Sequence, residues 1–180
     1  MLHRTRADLE IVRPADVEPE PWANGLGVTR VLAARPAWRI SLAEIEGRMP
    51  FSPFLGADRV LIPLSPGGVT LEIDGAERSV PMHTGLAFRG EDHVVADTAG
   101  DRATVVNFMT RRSTGRMRWE IRHVDGRIDV DVVADALVVL GGEVRRRSET
   151  LPPGSVVRSL ETVDLAATDA AIALLRVAGR

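Results

Sequence analysis

Apolar residues along this chain fall in short runs separated by clusters of Gly, Pro and Asp. Inside the runs apolar and polar positions alternate with the two-residue period of a half-buried strand, and few stretches carry a helical period. The strands this predicts are Val28–Ala33, Trp38–Glu46, Val60–Leu64, Val69–Ile73, His93–Ala96 and Thr104–Met109. Further on come Arg118–Val124, Ile128–Val133, Leu137–Leu140, Val144–Arg147, Val156–Leu160 and Ala171–Val177. Pro50–Leu55 reads as a turn or short helix, and Val163–Ala171 is ambiguous. Many short strands with regular turn signals point to an all-β sandwich or barrel.

An internal repeat refines this picture. Val60–Leu64 runs through Gly67-Gly68 into Val69–Ile73, then past Pro81 and Gly85 to a late strand at Thr104–Met109. Leu137–Leu140 runs through Gly141-Gly142 into Val144–Arg147, then past Pro153-Gly154 to a late strand at Ala171–Val177. The pattern predicts two jelly-roll barrels in one chain, residues 1–112 and 113–180, the second shorter and plainer, with exchange of strands between them allowed.

One strand breaks the simple alternation. In Trp38–Glu46, Trp38, Ile40 and Leu42 share one face, while Arg39, Ser41, Ala43 and Ile45 share the other. A cation, a hydroxyl and a small side chain on a face that ends in isoleucine suit a partly enclosed polar pocket. The alternative is an edge strand with Arg39 in water. Asn24, Arg59 and Asn107 also lie near or within apolar strands of the first unit, and Arg111 follows the strand that carries Asn107. An amide between Val105 and Met109 is either a hydrogen-bonded core residue or a ligand contact. Two arginines and an asparagine in an apolar barrel would suit a small carboxylate, which a guanidinium accepts through two parallel hydrogen bonds.

Composition narrows the chemistry. At 180 residues the chain can bury a sizeable core. All 23 basic residues are arginine, and the net charge of −2 argues against a nucleic-acid surface. Cysteine is absent, which removes disulfides, thiol catalysis and thiolate metal sites. His3, His83, His93 and His123 are scattered rather than clustered, so no metal is expected; the one arrangement worth weighing joins His83 and His93 with Glu91 or Glu72. Gly25-Leu26-Gly27 reads as a tight turn rather than a phosphate loop. Glu44 and Glu46 share a strand face, but at a strand end where exposure is the simpler account. No signal peptide is visible after Met1, and the most apolar stretches are too short to span a bilayer, so the expectation is a cytoplasmic protein without a membrane partner.

Several segments resemble the HutD/Ves family in order and spacing: PWANGLGVT (Pro21–Thr29), WRISLAEIE (Trp38–Glu46), PFSPFLGADRVLIPL (Pro50–Leu64), AFRGEDHVVA (Ala87–Ala96) and NFMTRR (Asn107–Arg112). The resemblance implies a bicupin, two cupin barrels in one chain. It implies a non-catalytic protein that binds a small acidic metabolite, with N-formimino-L-glutamate the candidate, and regulates or governs histidine utilisation. Carried over by motif, the ligand-binding candidates are Asn24, Thr29, Arg39, Ser41, Phe51, Ser52, Phe54, Arg59, Phe88, Asn107, Met109 and Arg111. No cofactor or metal is implied. The alternative is a metal-independent cupin enzyme, an isomerase or hydrolase acting on a small carboxylate. A duller one is a scaffold whose barrel is packed solid. Cupins often pair through sheet edges or faces, which makes a homodimer an open expectation. Two departures stand out: Leu26 interrupts a turn that commonly reads NGGG, and Val105 stands where an acidic residue is frequent.

Overall fold

A computed structural model describes residues 10–22, 25, 27–128, 134–158 and 164–179. Its strands are β1 Glu10–Val12, β2 Glu20–Pro21, β3 Val28–Arg35, β4 Trp38–Pro50, β5 Ala57–Pro63, β6 Val69–Ile73 and β7 Ala76–Val80, then β8 Leu86–Arg89 and β9 Val94–Arg111. They continue as β10 Gly115–Arg127, β11 Ala136–Arg146, β12 Glu149–Leu151, β13 Val156–Arg158 and β14 Ala166–Gly179. Among the described residues the one helical piece is a short 3-10 turn at Pro14–Asp16, and no helix is long and apolar enough to cross a membrane.

The strands form two antiparallel sheets. One runs β2-β3-β4-β9-β5-β8, with β6 and β7 joined to it through β9; the other runs β1-β13-β11-β14-β10, with β12 on β11. The chain passes from the first sheet to the second between Arg111 and Gly115, yet β1 pairs with β13. The N-terminal strand is thus given to the far sheet. Buried Arg158 secures it, donating to Glu10 at 3.0 Å while its guanidinium lies 5.8 Å from the Trp38 ring.

Strand alternation separates three apolar clusters. Trp38, Ile40 and Leu42 of β4 join Val60, Val106 and Phe108, and pack against Val138, Leu140, Ala173 and Leu175 of the second sheet. The opposite face sends Ala43, Ile45, Leu61 and Val105 into a cluster internal to the first unit. The second unit has its own, built on Leu137, Val139, Val144, Leu151, Ile172 and Leu174. The sheet-to-sheet core uses one face of β4, which leaves Arg39 and Ser41 facing the interior of the first unit.

Two expected breaks in the chain turn out to be continuous strand. Val94–Ala96, all but the first residue of the expected strand His93–Ala96, and Thr104–Met109 are limbs of the single strand β9, which turns a corner at Ala99 and Gly100 through backbone φ of 54° and 90°. Gly141-Gly142 is no turn: it lies inside β11, where the register against β14 shifts and Gly142 takes φ 73°. Gly67-Gly68, its counterpart in the repeat, does turn the chain between β5 and β6, with the Gly68 amide on the Ser65 carbonyl at 2.9 Å. The two glycine pairs are therefore not structural equivalents. Pro50 ends β4, and Phe51–Leu55 is no helix but a loop that closes in a turn at Leu55-Gly56, the turn alternative of the expectation. Strand β14 takes up the ambiguous stretch from Ala166 onward. Most of Ile128–Val133 and the end of Val156–Leu160 lie outside the described residues, as do Asn24 and Leu26.

Candidate functional site

Register builds the site row by row. On the inner face of the first sheet, Thr29 of β3 sits opposite Ala43, and Ala43 opposite Val105. The next row is Val31, Ser41, Asn107 and Leu61; the last is Arg39, Met109 and Arg59, with Phe88 beyond it on β8. Thr29 on β3, Arg39 and Ser41 on β4, Asn107 on β9 and Arg59 on β5 thus set a polar band across a face otherwise lined by Val31, Ala43, Leu61, Val105, Met109 and Phe88. The loop after β4 folds over it with Phe51, Ser52 and Phe54, and the segment Glu20–Trp22 closes the other side. Together these walls enclose a cavity of about 200 Å³.

Arg59 is the centre of this arrangement. Only 5% of it is exposed. Its guanidinium donates to Asn107 Oδ1 at 3.2 Å and to the Ser52 carbonyl at 3.4 Å. Three rings surround it, with Phe88, Phe51 and Phe54 centroids 4.9, 5.1 and 5.2 Å from Cζ. Among the described residues no carboxylate pairs with it, and its Nε has no hydrogen-bond partner. Burial first, and the neighbouring Arg39 charge second, lower its pKa to about 10. At neutral pH it remains a cation. Ring faces and a neutral amide ease its desolvation but do not neutralise it.

Arg39 adds a second cation on the same wall. It lies 5.3 Å from the centre of the Phe54 ring and its Nη2 is 3.4 Å from Met109 Sδ, while its Nε is buried without a partner. Phe54 therefore touches two like-charged groups. Across the cavity, the Trp22 indole donates to Thr29 Oγ1 at 2.7 Å and meets the Phe51 ring edge-on at 5.9 Å. Among the described residues the only carboxylate in the wall is that of Glu20, exposed at the rim. Chemically the arrangement can offer an anion with an apolar or planar body two guanidiniums, an amide and hydroxyls for its polar end and aromatic rings for the rest.

The structure brings Thr29, Arg39, Ser41, Phe51, Ser52, Phe54, Arg59, Asn107 and Met109 around one cavity. Phe88 lies behind them under Arg59. Arg111 does not join them. It pairs with Ala57, one rung beyond the Arg39–Met109–Arg59 row, and is exposed in a neighbouring groove that shares Arg39, Phe54 and Met109 with the pocket. Asn24 lies outside the described residues. Sequence reasoning missed Glu20, Pro21, Trp22 and Val31 as wall residues. Val31 was readable from its alternation with Thr29; β2 (Glu20–Pro21) is too short for alternation to show, although Pro21 and Trp22 open the segment PWANGLGVT that carries the family resemblance. Val105 is wholly buried in the apolar cluster. Glu44 and Glu46 are tied to Arg30 and Arg102. His83 Nε2 lies 3.1 Å from the Leu140 carbonyl of the second sheet, whereas the His93 side chain is exposed. Among the described residues no group of three or more His, Asp or Glu is placed to hold a metal.

Comparison with known proteins fixes the lineage. The HutD family model matches residues 14–177. The chain belongs to the HutD family. An uncharacterised 21.2 kDa protein of the hutC 3' region of Pseudomonas putida is 29% identical over 63% of this chain. The match covers 65% of that relative, so the chain spans just under two thirds of its length. Protein Ves of Cronobacter sakazakii is 32% identical over 77% of this chain and 81% of its own. Among solved structures, HutD from Pseudomonas fluorescens SBW25 superposes with a TM-score of 0.79 at 24% identity, over 96% of this chain and 100% of that one. A cupin 2 conserved barrel domain protein from Leptotrichia buccalis gives 0.53 at 14% identity, over 99% and 100%. These likenesses establish an all-β, cupin-like fold for this HutD family member.

Proposed function

We propose that this HutD family chain binds a small acidic metabolite in the pocket between β3, β4, β9 and β5, and acts in the cytoplasm as a non-catalytic regulator of histidine utilisation. The observation that carries this reading is Arg59: a buried cation, enclosed by three phenylalanine rings, for which the described residues supply no counter-charge. A bound carboxylate would supply it, bridging Arg59 toward Arg39 while Asn107, Ser41 or Thr29 reads a second polar group. N-formimino-L-glutamate fits that description, with carboxylates for the guanidiniums and a planar formimino group for the aromatic wall. The family's association with histidine utilisation, and a relative encoded beside hutC, favour it over other small acids.

The test is a thermal-shift series with N-formimino-L-glutamate, glutarate and formate on the wild type and Arg39→Ala. Ligand at a hundred times its dissociation constant adds about 2.7 kcal/mol of stability. The wild type should show that shift and Arg39→Ala should lose it. No shift with any of the three acids would contradict the assignment while leaving the fold untouched.

A second reading, a metal-independent enzyme acting on a small carboxylate, is favoured by one observation, the Glu20 carboxylate in the wall. Among the described residues it is the one carboxylate in that wall, and a carboxylate is a side chain that serves as general acid or base. Turnover of a bound acid by the wild type, lost in Glu20→Gln with binding retained, would select this reading.

A further inference from the structure

Phe54 touches both guanidiniums, so whatever places Phe54 sets the charge geometry of the pocket. Its loop is held from outside by the turn that follows β8. The Phe54 amide donates to the Gly90 carbonyl at 2.7 Å, the Gly90 amide to the Ala57 carbonyl at 2.8 Å, and the Arg112 amide to the Gly56 carbonyl at 2.9 Å. Gly90 is buried, and its backbone is not in the left-handed region that itself demands glycine. Space demands it. A Cβ at position 90 would stand 2.1 Å from the Phe54 carbonyl oxygen, 3.0 Å from its carbon and 3.1 Å from the Ala57 oxygen. All three are main-chain atoms, so relief requires the loop itself to move.

The same turn carries Phe88, two residues upstream, under Arg59. A side-chain clamp backs it: Arg112 donates to the Ala57 carbonyl at 2.6 Å, to Asp58 at 2.9 Å and to Glu91, which Arg89 also reaches at 3.1 Å. None of Gly90, Arg112, Asp58 or Glu91 lines the cavity.

We infer that Gly90 is a positioning residue of the pocket: the missing side chain lets the loop approach until the Phe54 ring meets both Arg39 and Arg59, and the Arg112 clamp holds it there. This rests on the anion-pocket reading above. A methyl group at position 90 displaces Phe54, leaves the two cations without their shared ring, and weakens anion binding without touching a binding side chain.

The experiment is calorimetric titration of glutarate into intact wild type, Gly90→Ala, Phe54→Ala and the double variant, with Gly67→Ala as control because its added Cβ meets nothing within 4 Å. Gly90→Ala should lose tenfold or more in affinity, and Gly67→Ala should lose nothing. In the Phe54→Ala background, Gly90→Ala should cost no further affinity, although it still lowers the melting temperature; a merely structural role would lower affinity equally in both backgrounds. If Gly90→Ala does not fold, Arg112→Leu, which cuts the clamp at Ala57 and Asp58, should show the same background-dependent loss, at least threefold. Equal glutarate affinity in wild type and these variants, or full additivity with Phe54→Ala, overturns the inference alone. No binding by the wild type removes the anion-pocket reading and this inference with it.

Discussion

Arg59 donates to Asn107 Oδ1 across 3.2 Å in a space where both side chains are almost fully buried. The amide is the one side-chain hydrogen-bond acceptor given to a cation that has no carboxylate partner among the described residues. Asn107→Leu keeps the volume and removes that acceptor. It should destabilise the protein by about 1–3 kcal/mol in urea unfolding, the typical cost of leaving a buried polar group unanswered. Replacing both residues, as Arg59→Met with Asn107→Leu, should recover the loss and reach at least wild-type stability. A double variant weaker than Asn107→Leu alone would mean the cation stabilises the fold rather than serving a ligand.

The pH dependence of that difference has a definite sign. Arg59 has its pKa lowered from the ordinary arginine value to about 10 in the folded chain, by burial first and Arg39 second. A base with a lowered folded pKa destabilises below that pKa, and the penalty fades as pH rises from it toward the unfolded value. The gap between the wild type and the Arg59→Met, Asn107→Leu variant should therefore narrow by up to roughly 3 kcal/mol as pH climbs from about 9 toward 12. Using the difference cancels the other arginines. A flat difference would show that Arg59 is not desolvated in solution.

His83 joins the two sheets. Its pKa is lowered by burial, with the Leu140 carbonyl opposing and His123 adding slightly. The unfolded chain then takes up its proton first as pH falls through about 6.5, so stability should decline below that pH. His83→Gln should remove this component of the decline, measured as the difference in urea midpoint between pH 7.5 and 5.0.

Gly142 adopts φ 73° in the β11 bulge, where a Cβ would meet the Asp169 carbonyl oxygen at 2.1 Å. Gly142→Ala should cost more than about 1 kcal/mol, while Gly67→Ala, at an ordinary φ in open space, should stay within about half that. Comparable melting temperatures for the two would contradict the bulge.

Much of this fold was legible because alternation is a local signal. Trp38, Ile40 and Leu42 face the second sheet and Arg39, Ser41 and Ala43 face inward, as the period of two dictates. What alternation could not reveal was continuity: Ala99, Gly100 and Gly142 bend a strand without ending it, and in sequence a glycine bulge looks like a turn. The site was legible in part for the same reason. Asn107 was recognisable as a polar residue on an apolar face, but its partner was not, because the Asn107–Arg59 bond joins strands through a register that only folding sets. Arg111 shows the limit from the other side. It has the parity of Asn107 and Met109, yet lies one rung past the floor of the pocket.

Arg59, buried without a carboxylate partner among the described residues, is on the proposed function the residue that receives the anion. Calorimetric titration of N-formimino-L-glutamate, with glutarate alongside, into wild type and Arg59→Met at two salt concentrations tests it most directly. The expected result is one saturable site per chain in the wild type, weakened by salt, and an affinity at least tenfold lower in Arg59→Met. Unchanged affinity in Arg59→Met, or no binding of either acid to the wild type, would contradict it.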